Sequence, residues 1–580
     1  MNQEVKKING YSVKDEKAIR TYDTVALMKA DRKLKQGQHV KTRGYYSIND
    51  GGNAEYYITN TSSNFVHQEN LENGLYATLI IENECVNVDQ FGAKGDGITD
   101  DSQAVQKAID KSKGLVNFDK NKTYSISNTV IVKSNTELNG NNCTIKMNNA
   151  SDIFNIDNTS NINIHDFILE NGENDNNEPN CDVFITTDRP TTNNCYNINI
   201  SNIKYNNEDN LSSPPFCLIY VGNVYGLDIH DCNLKGNQES SMRGIVVWST
   251  QKIGEEVVNT NSKYIRIHNN IIDGFNRNIE SYGTSSTASY GSRHYMIISD
   301  NHILNATDTG IMAYHGQESM IKNNYILNCK KGCWADNGIL AEGNYFNQGE
   351  VGLWTEEFTN GNISNNIFNR LSVSGIILGG GTLVSNVNNN TFRYCEDAIT
   401  IDEQYTPNTY YSGNLNIQNN KITSCYSHVL NLKSNQYSIN FTNNFINVWG
   451  LEKDEPIDAI VLGKNVSTCL YINNNVFDNQ SYNYAQPLTS GNCNSIINTS
   501  TYQIGELFIN NNIIEGNINY LGIIKVGQIF YFLNNIFKTP ITGLLQLSAL
   551  GYALKYVIKN NTNLTGTDTL VDQTGGTSLQ

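Results

Sequence analysis

Carboxylates, indoles and phenols recur at one place in a series of short segments, and that place could do chemistry. The segments align on a leading residue, most often small, and the apolar residue that follows it in most of them. They read Gly244-Ile-Val-Val-Trp248, Asn278-Ile-Glu-Ser-Tyr282, Gly310-Ile-Met-Ala-Tyr314, Gly332-Cys-Trp-Ala-Asp336 and Gly352-Leu-Trp-Thr-Glu356. The series continues as Gly375-Ile-Ile-Leu-Gly379, Ala398-Ile-Thr-Ile-Asp402, Val429-Leu-Asn-Leu-Lys433 and Ala459-Ile-Val-Leu-Gly463. Successive side chains of a strand point to opposite faces. The first and third residues after the leader are expected inside, as at Ile311 and Ala313, Leu353 and Thr355, Ile399 and Ile401. The fourth then stacks Trp248, Tyr282, Tyr314, Asp336, Glu356, Gly379, Asp402 and Lys433 on an exposed face. The second adds Glu280, Trp334 and Trp354, and His315, Glu357 and Glu403 flank the face.

Aromatic faces receive sugar rings, and paired carboxylates are what acid/base cleavage of a glycosidic bond needs. Neighbouring strands lie about 4.8 Å apart. Asp336 and Glu356 on adjacent strands are therefore expected roughly 5 Å apart, the separation of a retaining pair. Glu356 and Asp402 straddle Gly379 and are expected roughly 9–10 Å apart, at the upper edge of the inverting range. Gly379 between them would leave the floor open for a sugar and a water. Glu356 and Asp402 are the favoured acid/base pair, with Asp336 assisting. The aromatic residues, His315, Glu357 and Glu403 are the candidate substrate contacts. The alternative for each is plain: outward acidic residues are ordinarily a solvated face, and Glu357 and Glu403 sit where turn residues would. A lyase would need a base such as Tyr314, His315 or Lys433, and no Arg joins the aligned face. A phosphodiesterase acting on teichoic acid would use the acidic cluster to hold a divalent metal such as calcium. No cofactor is expected, no metal site is assigned, and no nucleophile-elbow motif accompanies a Ser-His-Asp set.

These segments must be held in register by something repetitive. From about residue 120 to 560 a short strand is followed by Asn-Asn-x-Ile/Phe, as in Asn323-Asn324-Tyr325-Ile326 and Asn365-Asn366-Ile367-Phe368. Most copies are roughly 20–24 residues apart, the length of a three-strand coil. Asn tolerates the left-handed backbone of a tight corner, stacked Asn amides can hydrogen-bond in a ladder, and the Ile or Phe after the corner points inward. The leucines and helix of a leucine-rich repeat are absent, and a propeller blade needs about 40 residues. The fold expected is all-β, a parallel β-helix.

Composition agrees and excludes other classes. The 580 residues carry 41 Lys and Arg against 57 Asp and Glu, a net charge of −16, with no basic run suited to nucleic acid. No stretch is long and apolar enough to span a membrane. About 90 Asn far exceed ordinary usage. The first residues, MNQEVKKINGYSVKDEK, lack the apolar core of a signal peptide. The twelve Cys form no CxxC pair and read as small buried thiols of a protein made in a reducing cytosol.

Three regions separate: 1–84, 85–540 and 541–580. In the first, a short helix over Val25 to Leu34 precedes strands around the turn Asn49-Asp50-Gly51-Gly52. Then come strand residues Val86 and Val88, a loop with Gly92, Gly95 and Gly97, and an amphipathic helix near 100–112. Asp100 and Gln103 fit a capping box for that helix.

The segment FGAKGDGITDD followed by SQAVQKAID resembles the opening motif of the pectate-lyase-like β-helix family. TVALMKAD…VKTRGYYSINDGGNAEYYI is similar to the head that precedes it in phage tailspikes and prophage tail proteins. The resemblance implies a right-handed β-helix, usually a homotrimer, that binds and often cleaves bacterial surface polysaccharide. It implies a head that attaches to the phage tail or baseplate, a virion location after synthesis in the host cytoplasm, and a C-terminal cap. A receptor-binding fibre without catalysis is the main rival.

Overall fold

Each Asn-Asn pair divides its labour. The first residue holds the corner with a left-handed backbone, at φ 53 for Asn323, 59 for Asn365, 56 for Asn389 and 57 for Asn419. Asn pays little for this region. The second residue is buried and stacks. Its amide donates both to the next coil's Asn oxygen and to a main-chain carbonyl of the coil before. Thus Asn324 Nδ2 donates to Asn344 Oδ1 at 3.0 Å and to Ile298 O at 2.9 Å. The ladder runs Asn301, Asn324, Asn344, Asn366, Asn390, Asn420, Asn444, Asn475, Asn512, Asn535, Asn561, with each link between 2.9 and 3.1 Å. The residue two places on is core throughout: Ile326, Phe346, Phe368, Phe392 and Ile422 are all at most 2% exposed. Phe346, Phe368 and Phe392 stack with centroids 4.9 Å apart.

The computed structural model describes residues 7–8, 11–12, 19–81, 84–148, 152–156, 158–171, 183–186, 195–206, 217–222, 224–238, 241–248, 250–253, 256–259, 262–282, 295–314, 319–335, 338–357, 360–380, 384–402, 413–433, 437–451, 455, 457–463, 466–479, 495–499, 504–516, 518, 520–524, 526–538, 543–548, 555–563, 572–574 and 577–578. Within each unit the coil strands from Cys85 onward pair in parallel, coil on coil, as a right-handed parallel β-helix, and Thr250–Ile253 with Glu256–Asn259 forms a separate antiparallel pair. Parallel pairing continues past residue 540, through Gly543–Ser548 with Asp572–Thr574 and Lys555–Lys559 with Thr577–Ser578. The chain divides into two units, Met1–Arg266 with Asn270–Phe275, and Ile267–Asn269 with Asn276–Gln580.

In the first unit, five strands form a separate sheet in the order Arg20–Tyr22, His39–Thr42, Ala54–Thr59, Tyr76–Leu79, Gln68–Asn70. The helix before His39 is shorter than expected, Val25–Ala30. Asp31 ends it, because its carboxylate accepts the Lys33 N–H and the Tyr22 hydroxyl instead of continuing the spiral. At the Asn49–Gly52 turn, the Asp50 carboxylate accepts four main-chain N–H groups, from Tyr45, Tyr46, Ser47 and Gly52.

The sheet leans on the first coil, where the Tyr46 hydroxyl donates to Gly92 O at 2.9 Å and Gln90 Nε2 to Asn53 O at 3.1 Å. Strand Cys85–Asn87 gives way to a 3-10 turn at Val88 rather than continuing through it. Gly92, Gly95 and Gly97 all take positive φ. The following helix is Ser102–Lys111, with Val105, Ala108 and Ile109 fully buried. The capping box expected at Asp100 and Gln103 is not made. Asp101 is the N-cap, and its carboxylate turns back to accept the Lys94 and Gly95 N–H groups of the glycine loop. Asp100 accepts from Ser102 and Ser127 and from Asn128 Nδ2. The described cysteines are free; eight of the ten are buried, and Cys85 and Cys469 are partly exposed.

Candidate active site

The candidate face lies on the second unit, on strands Arg277–Tyr282, Thr309–Tyr314, Tyr325–Ala335, Tyr345–Glu357, Ile367–Gly380, Asp397–Ile401 and Leu430–Leu432. Register follows the alignment read from sequence. Tyr282 pairs with Tyr314, Trp334 with Trp354, Trp354 with Ile377 and Ile377 with Thr400. The inward residues are where alternation puts them, with Ile311, Leu353, Thr355, Ile399 and Ile401 at 0%. Close coil packing explains the glycine leaders. A Cβ at Gly352 would sit 2.6 Å from both Gly375 O and a Phe368 ring carbon.

Glu356 stands opposite Gly379, because Thr355 pairs with Leu378 and Glu357 with Gly380. Asp402 donates its N–H to Leu378 O at 2.9 Å, so it takes the same register one strand further on. Asp402 directly follows strand Asp397–Ile401, so Glu356 and Asp402 stand two strands apart, about 9–10 Å at the backbone. Both are half-buried. Lys433 Nζ lies 4.0 Å from Asp402 Oδ2, one strand beyond.

Gly379 is there for a reason the sequence did not disclose. It is buried rather than an open floor, and a Cβ on it would run into the Glu356 carbonyl carbon and oxygen. The Gly379→Ala variant is expected to be destabilised by about 1–3 kcal/mol, because the strand carrying Glu356 must shift to admit the methyl. A thermal melt of the variant beside the wild type checks this.

The outward second column also departs from a solvent-facing surface. Glu280, Met312 and Thr400 are at most 3% exposed. Arg277 is the reason at Glu280, with NH1 3.0 Å from Glu280 Oε1. Arg277 Nε donates to Asp308 Oδ2 at 3.0 Å, and Lys331 Nζ donates to Asp308 Oδ1 at 3.2 Å. Burial opposes ionisation of Asp308, but the bonds from Arg277 and the charge of Lys331 outweigh it and hold its carboxyl below the usual range. Trp334 and Trp354 stack on each other, centroids 6.0 Å apart and planes at 25°. Lys331 Nζ lies over both, 4.4 Å from the Trp334 centroid and 5.3 Å from that of Trp354. The indole faces are therefore shared with each other and with an ammonium group, rather than offered whole to a sugar.

Arg277, Asp308 and Lys331 were missed by alignment on the strand interior, where no Arg joins the face. A signal existed: Arg277 and Lys331 each immediately precede the leading residue of their segment, and both pair with Thr309 between them. Of the remaining candidates, Tyr282 and Tyr314 are in register with one another, and Trp248 pairs with Gly222 in the first unit. The side chains of Trp248, Tyr282, Tyr314 and Glu357 lie outside the described residues, as do His315, Asp336 and Glu403 entirely. Among the described residues, no group of three or more His, Cys, Asp or Glu could hold a metal ion.

Residues 85–353 match the family model of rhamnogalacturonase A/epimerase, pectate lyase-like. This segment is similar to that family's domain. The matched part of the domain stops just short of Glu356. No curated protein matches the sequence. Solved structures similar to the chain include gene product 12 of bacteriophage phi29, at 14% identity and TM-score 0.49, covering 82% of this chain and 72% of that one. The tailspike of E. coli bacteriophage HK620, in complex with a pentasaccharide, is 11% identical with TM-score 0.48, covering 83% and 82%. Tailspike gp49 of Acinetobacter baumannii bacteriophage Fri1, described as a capsular polysaccharide depolymerase, is 11% identical with TM-score 0.46, covering 74% and 75%.

Proposed function

We propose that the chain is a phage or prophage tailspike that binds a bacterial surface polysaccharide and cleaves it by acid/base glycoside hydrolysis. One observation carries the reading. Glu356 and Asp402 share a register on strands two apart, and Trp354 lies two residues before Glu356 on the same strand, beside Trp334. One carboxyl would protonate the departing glycosidic oxygen while the other activates water from the opposite side, with Asp336 assisting. The tail context rests on the resemblance of the head segment and on the pectate-lyase-like match. In it, residues 1–84 attach to the virion, the chain assembles as a homotrimer, and synthesis takes place in the host cytoplasm.

The test is to incubate the purified protein with capsule and cell-wall polymers from candidate host bacteria. New reducing ends without the absorbance of an unsaturated uronate are expected. That absorbance would mean a lyase, and released glycerol phosphate a teichoic-acid phosphodiesterase. Binding with no change in any polymer would mean a receptor-binding fibre. Trp354→Ala is expected to weaken binding of the cleaved polymer by about tenfold or more, a loss of roughly 1.4 kcal/mol or more, measured by co-sedimentation.

A further inference from the structure

We propose that Lys331 contacts the substrate, donating hydrogen bonds to the hydroxyl or acetal oxygens of a neutral sugar held at the Trp334–Trp354 pair. The inference rests on the glycan-binding reading above and names a residue and a ligand chemistry for it.

An outward lysine on a sheet is ordinarily a mobile, solvated charge. Lys331 is neither mobile in this sense nor fully solvated. Its side chain is 18% exposed, its ammonium lies over two indole rings, and Asp308 holds it at 3.2 Å. Asp308 is in turn fixed by Arg277, and Arg277 by the buried Glu280. An ammonium carries three donor hydrogens. Among the described residues, Asp308 is the one oxygen partner of Lys331. Two donors are left beside the indoles, on the side of the coil where Glu356 follows Trp354.

The charge of the chain Glu280–Arg277–Asp308–Lys331 decides the ligand. Two cations and two carboxylates sum to zero, and each cation already has an anionic partner. An acidic sugar would have to compete with Asp308 for Lys331 and would approach a protein of net charge −16. A neutral sugar needs only the unspent donors and leaves the ion pairs intact. The indoles then supply apolar contact for the sugar's C–H edge while the ammonium fixes its orientation.

The experiment uses the full chain and the polymer that the wild type binds in the screen above, followed by tryptophan fluorescence and by initial rates. Lys331→Met keeps the stem over the indoles and removes the donors. It is expected to raise Kd and KM about tenfold, as for one lost hydrogen bond, with kcat changed less than about threefold. Lys331→Arg, which restores donors, is expected to recover most of the loss. Wild-type Kd is expected to vary less than about threefold across ordinary salt concentrations, as for a neutral ligand. Should Lys331→Met fold poorly, Asp308→Ala, which removes the acceptor that tethers the ammonium, is expected to weaken binding in the same way. Wild-type affinity in a well-folded Lys331→Met or Asp308→Ala overturns the inference while leaving the glycan-binding reading intact. So does a steep loss of wild-type binding with salt. Absence of wild-type binding to every polymer overturns both.

Discussion

Replacing Glu356 with Gln is expected to leave the polysaccharide bound and almost uncleaved, with kcat reduced about 10³-fold and Kd within about threefold of wild type. The amide keeps the size and one acceptor oxygen of the carboxylate, so the strand and its neighbours need not move. What it cannot do is gain or lose a proton at that atom. If Glu356 protonates the leaving oxygen or deprotonates water, the loss falls on the chemical step and not on ground-state binding. Asp402→Asn is expected to behave alike, and the double variant to lose little more than either single one, because the two act as a unit. Single-turnover rates and polymer co-sedimentation separate the two quantities. A Glu356→Gln enzyme that cleaves at the wild-type rate would remove Glu356 from the mechanism. The pair would then be no more than a solvated edge of the sheet.

The register of this face was legible because strand alternation and coil length are both fixed by geometry. Once Ile311, Leu353 and Ile399 are recognised as inward, the positions of Glu356 and Asp402 follow by counting. Four things were not read from the sequence. Gly379 reads as an absence of side chain, yet its role comes from the main chain of the neighbouring coil, which no local pattern encodes. Arg277, Asp308 and Lys331 sit just outside the alternating core of their strands, so a period of two does not sort them, and long side chains reach partners that spacing cannot specify. The helix at residue 25 ended early because Asp31 has better partners in Lys33 and Tyr22 than a further helical turn would give it. At residue 100 the helix start was read one residue early, and no capping box forms at Asp100 or at the N-cap Asp101. The carboxylate of Asp101 serves the glycine loop, where two N–H groups converge, rather than the helix it precedes.

The same contrast between local and non-local roles predicts opposite results at two adjacent, identical residues. Asn365→Gly is expected to be close to neutral, within about 1 kcal/mol, whereas Asn366→Ala is expected to cost about 3 kcal/mol or more. Asn365 is exposed and contributes a backbone at φ 59. Glycine adopts that conformation freely, and alanine there would cost about 1–2 kcal/mol for the left-handed backbone alone.

Asn366 is 1% exposed, and its side chain satisfies four contacts. It donates to Ala341 O at 2.9 Å and to Asn390 Oδ1 at 3.0 Å, and it accepts the main-chain N–H of Asn344 at 2.9 Å and the Asn344 amide at 3.0 Å. Truncation leaves two donors and a carbonyl buried without partners, and each such loss costs roughly 1–3 kcal/mol. A coil touches only its neighbours, so the damage should stay local. It weakens the steps from Asn344 to Asn366 and from Asn366 to Asn390, while the rungs at Asn475, Asn512 and Asn535 are untouched. Limited proteolysis is the readout that exposes this. Asn366→Ala should be nicked between about residues 340 and 390, under conditions where wild type and Asn365→Gly resist. Equal resistance of the two variants would mean that the amide ladder adds nothing beyond the shape of the corner. The excess of Asn in this sequence would then have no cause in the ladder.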